Sequence, residues 1–304
     1  MKKENAFQLR QSLILLLTSV IWGLAFVAQS VGMEYVGPYT FIAVRFALGA
    51  LALLPVILFQ NAHAGGGHPA RTGEEAGGAD RTVRGGRQLW LGGVLCGAAL
   101  MAASALQQFG ILWTTVGKAG FITAMYIVIV PVLGIFIGRR IKPLIWLCVL
   151  IAAGGLYLLS MSGSFMLQSG DAFCLACAFV FAVQILLVDH FANEVDGIRL
   201  AVIEFLTASV MGAVMMLLFE QPSWSAVYSA RWSILYTGIM SSGVAYTLQI
   251  IGQCGLNPAI ASLIMSLESV FSAVAGFLIL RQVMTGREMI GCALMGIAII
   301  LAQL

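Results

Sequence analysis

The sequence predicts an all-α membrane protein of ten transmembrane helices in two inverted five-helix repeats. Three observations carry that prediction. Of 304 residues only 10% are charged, against roughly a quarter in soluble domains, and 60% are hydrophobic with a mean hydropathy of +0.97. Too little polar side chain remains to cover a water-facing surface, so the solvent is lipid. The sequence also divides into ten nearly uncharged runs, each close to the about 20 apolar residues that cross roughly 30 Å of hydrocarbon. Finally, these runs repeat at a fixed offset.

The runs cover 11–32, 39–59, 89–112, 117–138, 143–161, 170–190, 198–219, 232–253, 258–280 and 287–304. The first follows Lys2, Lys3 and Arg10 and carries Ala28-Gln29-Ser30, features of a signal peptide. Its length and its later counterpart keep it in the membrane as a helix. Basic residues gather on the cytoplasmic side of short loops. With a cytoplasmic N-terminus, Lys2, Lys3, Arg10, Arg71, Arg81, Arg84, Arg87, Arg139, Arg140, Lys142 and Arg199 lie inside, whereas Lys118, Arg231, Arg281 and Arg287 lie outside. Both termini are therefore expected in the cytoplasm, the membrane being a bacterial plasma membrane. Residues 60–88, rich in Gly and poor in apolar side chains, read as a flexible cytoplasmic loop with His63 and His68 solvated.

The repeat divides the protein into 1–162 and 163–304. A shift of 142 places Leu106, Gln107 and Gly110 on Leu248, Gln249 and Gly252, Trp90 on Trp232, Gly134 on Gly276 and Gly154 on Gly296. A shift of 159 in the earlier part places Trp22-Gly23 on Phe181-Ala182 and Arg45-Phe46 on Glu204-Phe205. One insertion, the longer segment 60–89 against 219–231, reconciles the two offsets. Five helices per half is odd, so the second half enters from the opposite side. Inverted repeats of this kind typify secondary transporters, with a substrate site near mid-depth.

Gly117-Lys118-Ala119-Gly120-Phe121-Ile122-Thr123 with Tyr126 and Pro131, and Ser266-Leu267-Glu268-Ser269-Val270-Phe271 with Gly276, resemble the drug/metabolite transporter superfamily, EamA-like branch. Trp22-Gly23, Arg45-Phe46 and Gly170-Asp171 fall where that family's markers are expected, and the resemblance covers about 12–304. It implies ten helices in two repeats and export or exchange of small metabolites or drug-like solutes. Two departures stand out. Glu268-Ser269-Val270 replaces the family's Glu-Pro-Val, so no proline kinks the ninth helix, and Arg281-Gln282 replaces its Gly-Glu.

Ionisable groups inside a bilayer cost about 2.5–3.5 kcal/mol at a helix centre and face partners or water. Glu268 sits near mid-depth of its helix and leads the candidates for coupling or substrate contact; packing as a neutral acid is the alternative. Tyr126 is its repeat counterpart, and Lys118 precedes it on the same helical face. Gln107 on the third helix, with Tyr246 and Gln249 on the eighth, offer amides and a hydroxyl that serve either a solute or interhelical bonding. Trp22, Phe26 and Gln29 on the first helix, with Phe181 and Gln184 on the sixth, could wall a cavity or simply pack. Arg45 and Glu204, repeat-equivalent and opposite in charge, either pair or reach along their helices toward the interface. Gly93-x-x-x-Gly97 and Gly134-x-x-x-Gly138 are expected to admit close helix contact.

The cysteines lie in apolar runs and read as packing residues, Cys174-x-x-Cys177 included. No metal-spaced histidines, paired aspartates or Walker sequence occurs, so neither an intramembrane enzyme nor an ATP-driven pump is indicated, and no cofactor or metal is expected. No basic cluster fits nucleic acid. The expectation is a secondary transporter with a small-molecule substrate, a lipid surround and a coupling proton or counter-solute. A channel or a non-transporting membrane assembly protein is the alternative.

Overall fold

A computed structural model describes residues 2–64, 78–114, 116–139, 141–160, 169–280 and 285–302. Within these, the side chains at 2–5, 61–64, 78–85, 116–118, 159–160, 276, 280 and 288 lie outside the description, as do all of residues 65–77 of the expected loop and Arg281-Gln282. Regular structure among the described residues is entirely helical. In sequence order the helices are α1 (Lys2–Gly32), α2 (Pro38–Ala64), α3 (Gly78–Trp113), α4 (Val116–Thr123), α5 (Tyr126–Phe136), α6 (Pro143–Ser160) and α7 (Ser169–Phe191). They continue with α8 (Gly197–Phe219), α9 (Trp224–Ser229), α10 (Arg231–Leu235), a π-helix (Tyr236–Tyr246), α11 (Thr247–Gln253), α12 (Pro258–Met265), α13 (Glu268–Leu280) and α14 (Gly286–Ala302). Helix thus extends into both ends of segment 60–88.

Among the described residues eight stretches are long and apolar enough to cross a membrane. They are Ala6–Gly32, Pro38–Gln60, Gly86–Trp113, Ala119–Phe136, Ser169–Phe191, Gly197–Phe219, Arg231–Gln253 and Pro258–Ile279. The other two expected crossings are apolar but shorter, Pro143–Leu158 and Met289–Ala302, and residues 161–168, 281–284 and 303–304 beside them are not described. Large apolar side chains face outward, such as Phe136 at 82% exposure, whereas Arg45 and Glu204 are enclosed at 2% and 0%. This polarity is the reverse of a water-soluble globule's. At the end of α8 the exposed rings of Trp224, Tyr228 and Trp232 cluster, with the Arg231 guanidinium 4.4 Å from the Tyr228 ring centroid, a composition suited to the headgroup layer.

Local chemistry fixes the helix starts. Asp196 accepts the Arg199 backbone N–H at 2.8 Å and caps α8. Asn257 accepts Ala259 N–H at 2.9 Å, with Pro258 pre-set for the first turn of α12. The cap of α2 comes from far along the sequence: the Glu220 carboxylate accepts the backbone N–H of Tyr39 and Thr40, each at 2.8 Å, and the Thr40 hydroxyl at 2.6 Å. At the other membrane end Arg139 meets the buried Asp189 carboxylate in an ion pair.

The largest helix contacts can be set in couples. α3 lies along α7, and α1 along the π-helix and α11; α4 and α5 touch α7, and α12 and α13 touch α1; α3 meets α8, and α2 meets the π-helix. α2 also lies along α8, and α6 along α14. The central apolar cluster includes Phe46, Leu100, Leu200, Phe205 and Ile250, while Cys148, Ala152, Leu156, Met295 and Ala298 form a separate one between α6 and α14. In lipid such contacts hold by close packing, which favours small residues at crossings. A Cβ at Gly97 would stand 2.5 Å from the Glu204 carbonyl oxygen, so this glycine brings α3 flush against α8. The second glycine pair behaves otherwise. A Cβ at Gly134 would meet nothing closer than 3.7 Å, and Gly138 has φ +80°, a left-handed turn that ends the helix rather than a helix contact.

Two crossings are interrupted at mid-length. Between α4 and α5 the backbone bonds run Ala124 N–H to Gly120, Met125 to Ile122, Ile127 to Ala124 and Ile129 to Met125. Between α12 and α13 they run Ser266 to Ser262, Leu267 to Ile264, Ser269 to Ser266 and Phe271 to Leu267. Every donor and acceptor in the second series is 142 residues after its match in the first. Both breaks tighten bonds to three-residue spacing without a proline at the break; the first adds a third such bond, Val128 N–H to Met125.

Candidate functional site

The breaks set Tyr126 at the start of α5 and Glu268 at the start of α13, and these two side chains meet. The Tyr126 hydroxyl donates to Glu268 Oε1 at 3.0 Å, both residues buried at 3% and 5% exposure. A hydrogen bond to a charged group, such as an ionised carboxylate, is worth about 1.5–3 kcal/mol.

Both residues line one cavity. Its other walls are Trp22, Ala25, Phe26 and Gln29 from α1, Arg45 from α2, Gln107 from α3, Phe181, Gln184 and Ile185 from α7, and Ser241, Tyr246 and Gln249 from the π-helix and α11. Nine of the ten site residues expected from sequence therefore converge: Glu268, Tyr126, Gln107, Tyr246, Gln249, Trp22, Phe26, Phe181 and Gln184. Lys118 lies on α4, and its side chain is outside the described residues. The space open to water centres is about 30 Å³. At about 10–15 Å³ per water this admits two or so molecules.

The polar groups are held from behind. Trp22 Nε1 donates to the Ser241 carbonyl at 3.3 Å, and its ring lies 4.7 Å from that of Tyr246 at 57°. The π-helix supplies both partners; such wide turns often occur at functional sites. Behind Tyr246, Phe46 and Phe205 stack with centroids 6.0 Å apart. Gly23 presses α1 onto α13: a Cβ there would stand 2.5 Å from Phe271 Cβ and 2.9 Å from the Glu268 carbonyl oxygen.

Arg45 is the functional candidate that the sequence-based site set omits. Arg45 Nη1 donates to Gln29 Oε1 at 2.9 Å, its Nε reaches Ser242 Oγ at 3.4 Å, and the guanidinium lies 4.7 Å from the Phe46 ring centroid. It neither extends to the interface nor pairs with Glu204, whose Oε1 accepts Gln184 Nε2 at 2.9 Å instead. An isolated basic residue so far inside an apolar run is the signal that could have found it. Its anchor Gln29 follows Trp22 and Phe26 on one helical face, at i+7 and i+3.

Other buried polar groups lie away from the cavity. Thr114 Oγ1 donates to Asp171 Oδ1 at 2.6 Å, tying the start of α7 to the end of α3. Gln108 and Ser104 are buried beside Gln107 but off the cavity. Cys174 and Cys177 are buried free thiols. Among the described residues, no group of three or more His, Cys, Asp or Glu gathers as a metal site.

The EamA-like transporter family matches residues 10–161 and again 168–304. This protein belongs to the EamA-like transporter family. An uncharacterized transporter of Archaeoglobus fulgidus is 25% identical over 307 residues, spanning 99% of this protein and 88% of the relative. A crystal structure of 19% sequence identity superposes with a TM-score of 0.75 over 96% of each protein, a likeness of fold. This EamA-like protein is thus an integral membrane transporter, with its conspicuous cavity where the two matched regions meet.

Proposed function

We propose that this protein is a secondary transporter that exports or exchanges a small metabolite or drug-like solute by alternating access around the Glu268–Tyr126 cavity. Ten crossings, in two inverted repeats spanning 1–162 and 163–304, would carry the cycle, with both termini in the cytoplasm of a bacterial cell. The observation that carries this reading is the meeting of two broken helices at positions 142 apart, Tyr126 bonded to Glu268, beside a cavity drawn from both halves. Discontinuous helices at mid-depth are the usual frame of a carrier's solute site. The coupled helix contacts support a rocking motion, because each half would present the same surfaces to the other.

The chemistry of the walls fits a solute with both polar and flat apolar parts. Gln107, Gln249 and Gln184 offer amides, Glu268 and Arg45 offer charge, and Trp22, Phe26 and Phe181 offer ring faces. Room for two or so waters is too little for a metabolite, so binding requires the halves to part on one side. Glu268 is placed to exchange a coupling proton or to hold the solute.

Comparing metabolites released by overexpressing and deletion cells would name the solute. Flux of that solute into proteoliposomes should then saturate and be stimulated by the same solute on the far side. Unsaturable flux without counter-solute stimulation would favour a channel, and no flux of any released compound would favour a non-transporting assembly role.

A further inference from the structure

A second buried acid stands behind the cavity wall. Glu204, on α8, has no exposed surface and does not itself line the cavity. Its Oε1 accepts Gln184 Nε2 at 2.9 Å; Gln184 Oε1 accepts Gln249 Nε2 at 3.1 Å; Gln184 and Gln249 are both wall residues. The series of bonds therefore runs from Glu204 to the cavity, all amides pointing one way. Both its ends are open: among the described residues, Glu204 Oε2 and Gln249 Oε1 are buried and have no hydrogen-bond partner.

We propose that Glu204 is a second proton-binding group, and that its protonation sets, through Gln184 and Gln249, whether the cavity wall offers a hydrogen-bond acceptor or a donor. With Glu204 ionised, the carboxylate can only accept. Gln184 must then present its NH₂ to Glu204 and its oxygen to Gln249, which leaves Gln249 Oε1 without a partner, the arrangement observed. A protonated Glu204 gains one O–H donor and has Gln184 as its side-chain hydrogen-bond partner. Donating to Gln184 Oε1 reverses that amide, whose NH₂ then turns to Gln249 and reverses it in turn. Gln249 now presents NH₂ to the cavity. Each reversal exchanges O and NH₂ at nearly equal volume, so a close-packed interior admits it. The only covalent change is one O–H bond formed on Glu204 as a hydronium ion becomes water, and broken when the proton returns.

The groups facing Glu204 suit an acid that changes charge. Cys96 approaches from α3 and Tyr246 from the π-helix, and no cationic side chain lies within ion-pair reach among the described residues. Arg45, the repeat-equivalent basic residue, is committed to Gln29, Ser242 and Tyr246. An isolated carboxylate in an apolar site is costly, whereas a neutral acid with its hydrogen bond made is not. A use for this switch in a cycle rests on the transporter reading above; the proton-binding itself does not.

Infrared difference spectra of the purified full-length protein in lipid, taken between acidic and alkaline buffers with carbon-13 glutamine, test both steps without any transport. The expected result is a protonated-carboxyl component that is missing in Glu204→Gln and retained in Glu268→Gln. A shift of the glutamine amide carbonyl band should accompany it and vanish in Glu204→Gln. An unchanged carboxyl band in Glu204→Gln would overturn the proposal, as would a glutamine shift that persists without the acid. Gln184→Leu, which keeps Glu204 and cuts the series of amides, provides the same reading if Glu204→Gln does not yield monodisperse protein: loss of the glutamine shift supports the relay, and its persistence overturns it. The expected spectra with no flux of any solute would count against the transporter reading alone.

Discussion

Tyr126 and Glu268 occupy the same place in their respective helices, the first residue after a break, and hydrogen-bond to each other at 3.0 Å. Among the described residues neither has another polar partner of comparable geometry, so each variant has a defined consequence. Glu268→Gln is expected to abolish or uncouple transport while leaving expression intact. Tyr126→Phe keeps the ring and removes the donor, and a loss of about 1.5–3 kcal/mol corresponds to a fall of about tenfold or more in transport efficiency. Flux assays in proteoliposomes check both; unchanged pH-dependent flux in Glu268→Gln would remove Glu268 from the mechanism.

Arg45 joins α1 to α2 and the π-helix through a planar fork that a lysine cannot copy. Arg45→Lys should therefore fall well short of wild-type flux although the charge is kept. Gln29→Leu, which strips the fork of its shortest bond, should reproduce much of the loss. Equal flux in wild type and Arg45→Lys would show that charge alone suffices.

Gly23→Ala puts a methyl group 2.5 Å from Phe271 Cβ and 2.8 Å from the Ser272 backbone nitrogen, a collision with little room to relax. The expected cost is about 1–3 kcal/mol, read as a lower thermal midpoint in detergent. Gly154→Ala is the control, since a Cβ there meets nothing within 4 Å and should leave the midpoint nearly unchanged.

Glu220→Ala removes three hydrogen bonds from the first turn of α2. Loss of a helix cap costs about 0.5–2 kcal/mol. The thermal midpoint should drop, while Glu220→Gln, which still accepts, should recover part of it.

Most of the cavity is legible in the sequence because polar residues are scarce in these helices, and each one has to be accounted for. Gln107, Gln184, Gln249 and Glu268 stand out against their apolar neighbours, and Trp22 with Phe26 follows helical spacing. Arg45 is conspicuous as an isolated basic residue in an apolar run, but a long basic side group several residues from a helix end usually reaches water, and the position of Gln29 and Ser242 decides against that here. The helix breaks leave no mark in composition. Neither Ala124-Met125 nor Ser266-Leu267 contains the proline or glycine that would announce a break. The ends of α6 and α14 are hard to read for a similar reason, since an apolar run does not say where its helix stops.

The contacts at the two membrane ends differ in kind. α7 and α8 are joined by a short turn, so the Arg139–Asp189 pair at the end of α7 and the Glu220 cap at the end of α8 lie on opposite faces. Each joins the first half of the protein to the second. In the alternating-access cycle proposed above, opening on either side would break one small set of bonds. One clasp is an ion pair and the other a carboxylate on backbone amides, so salt and point substitutions act on them unequally. On that proposal, substitutions at the rim would change the two openings separately without touching the cavity.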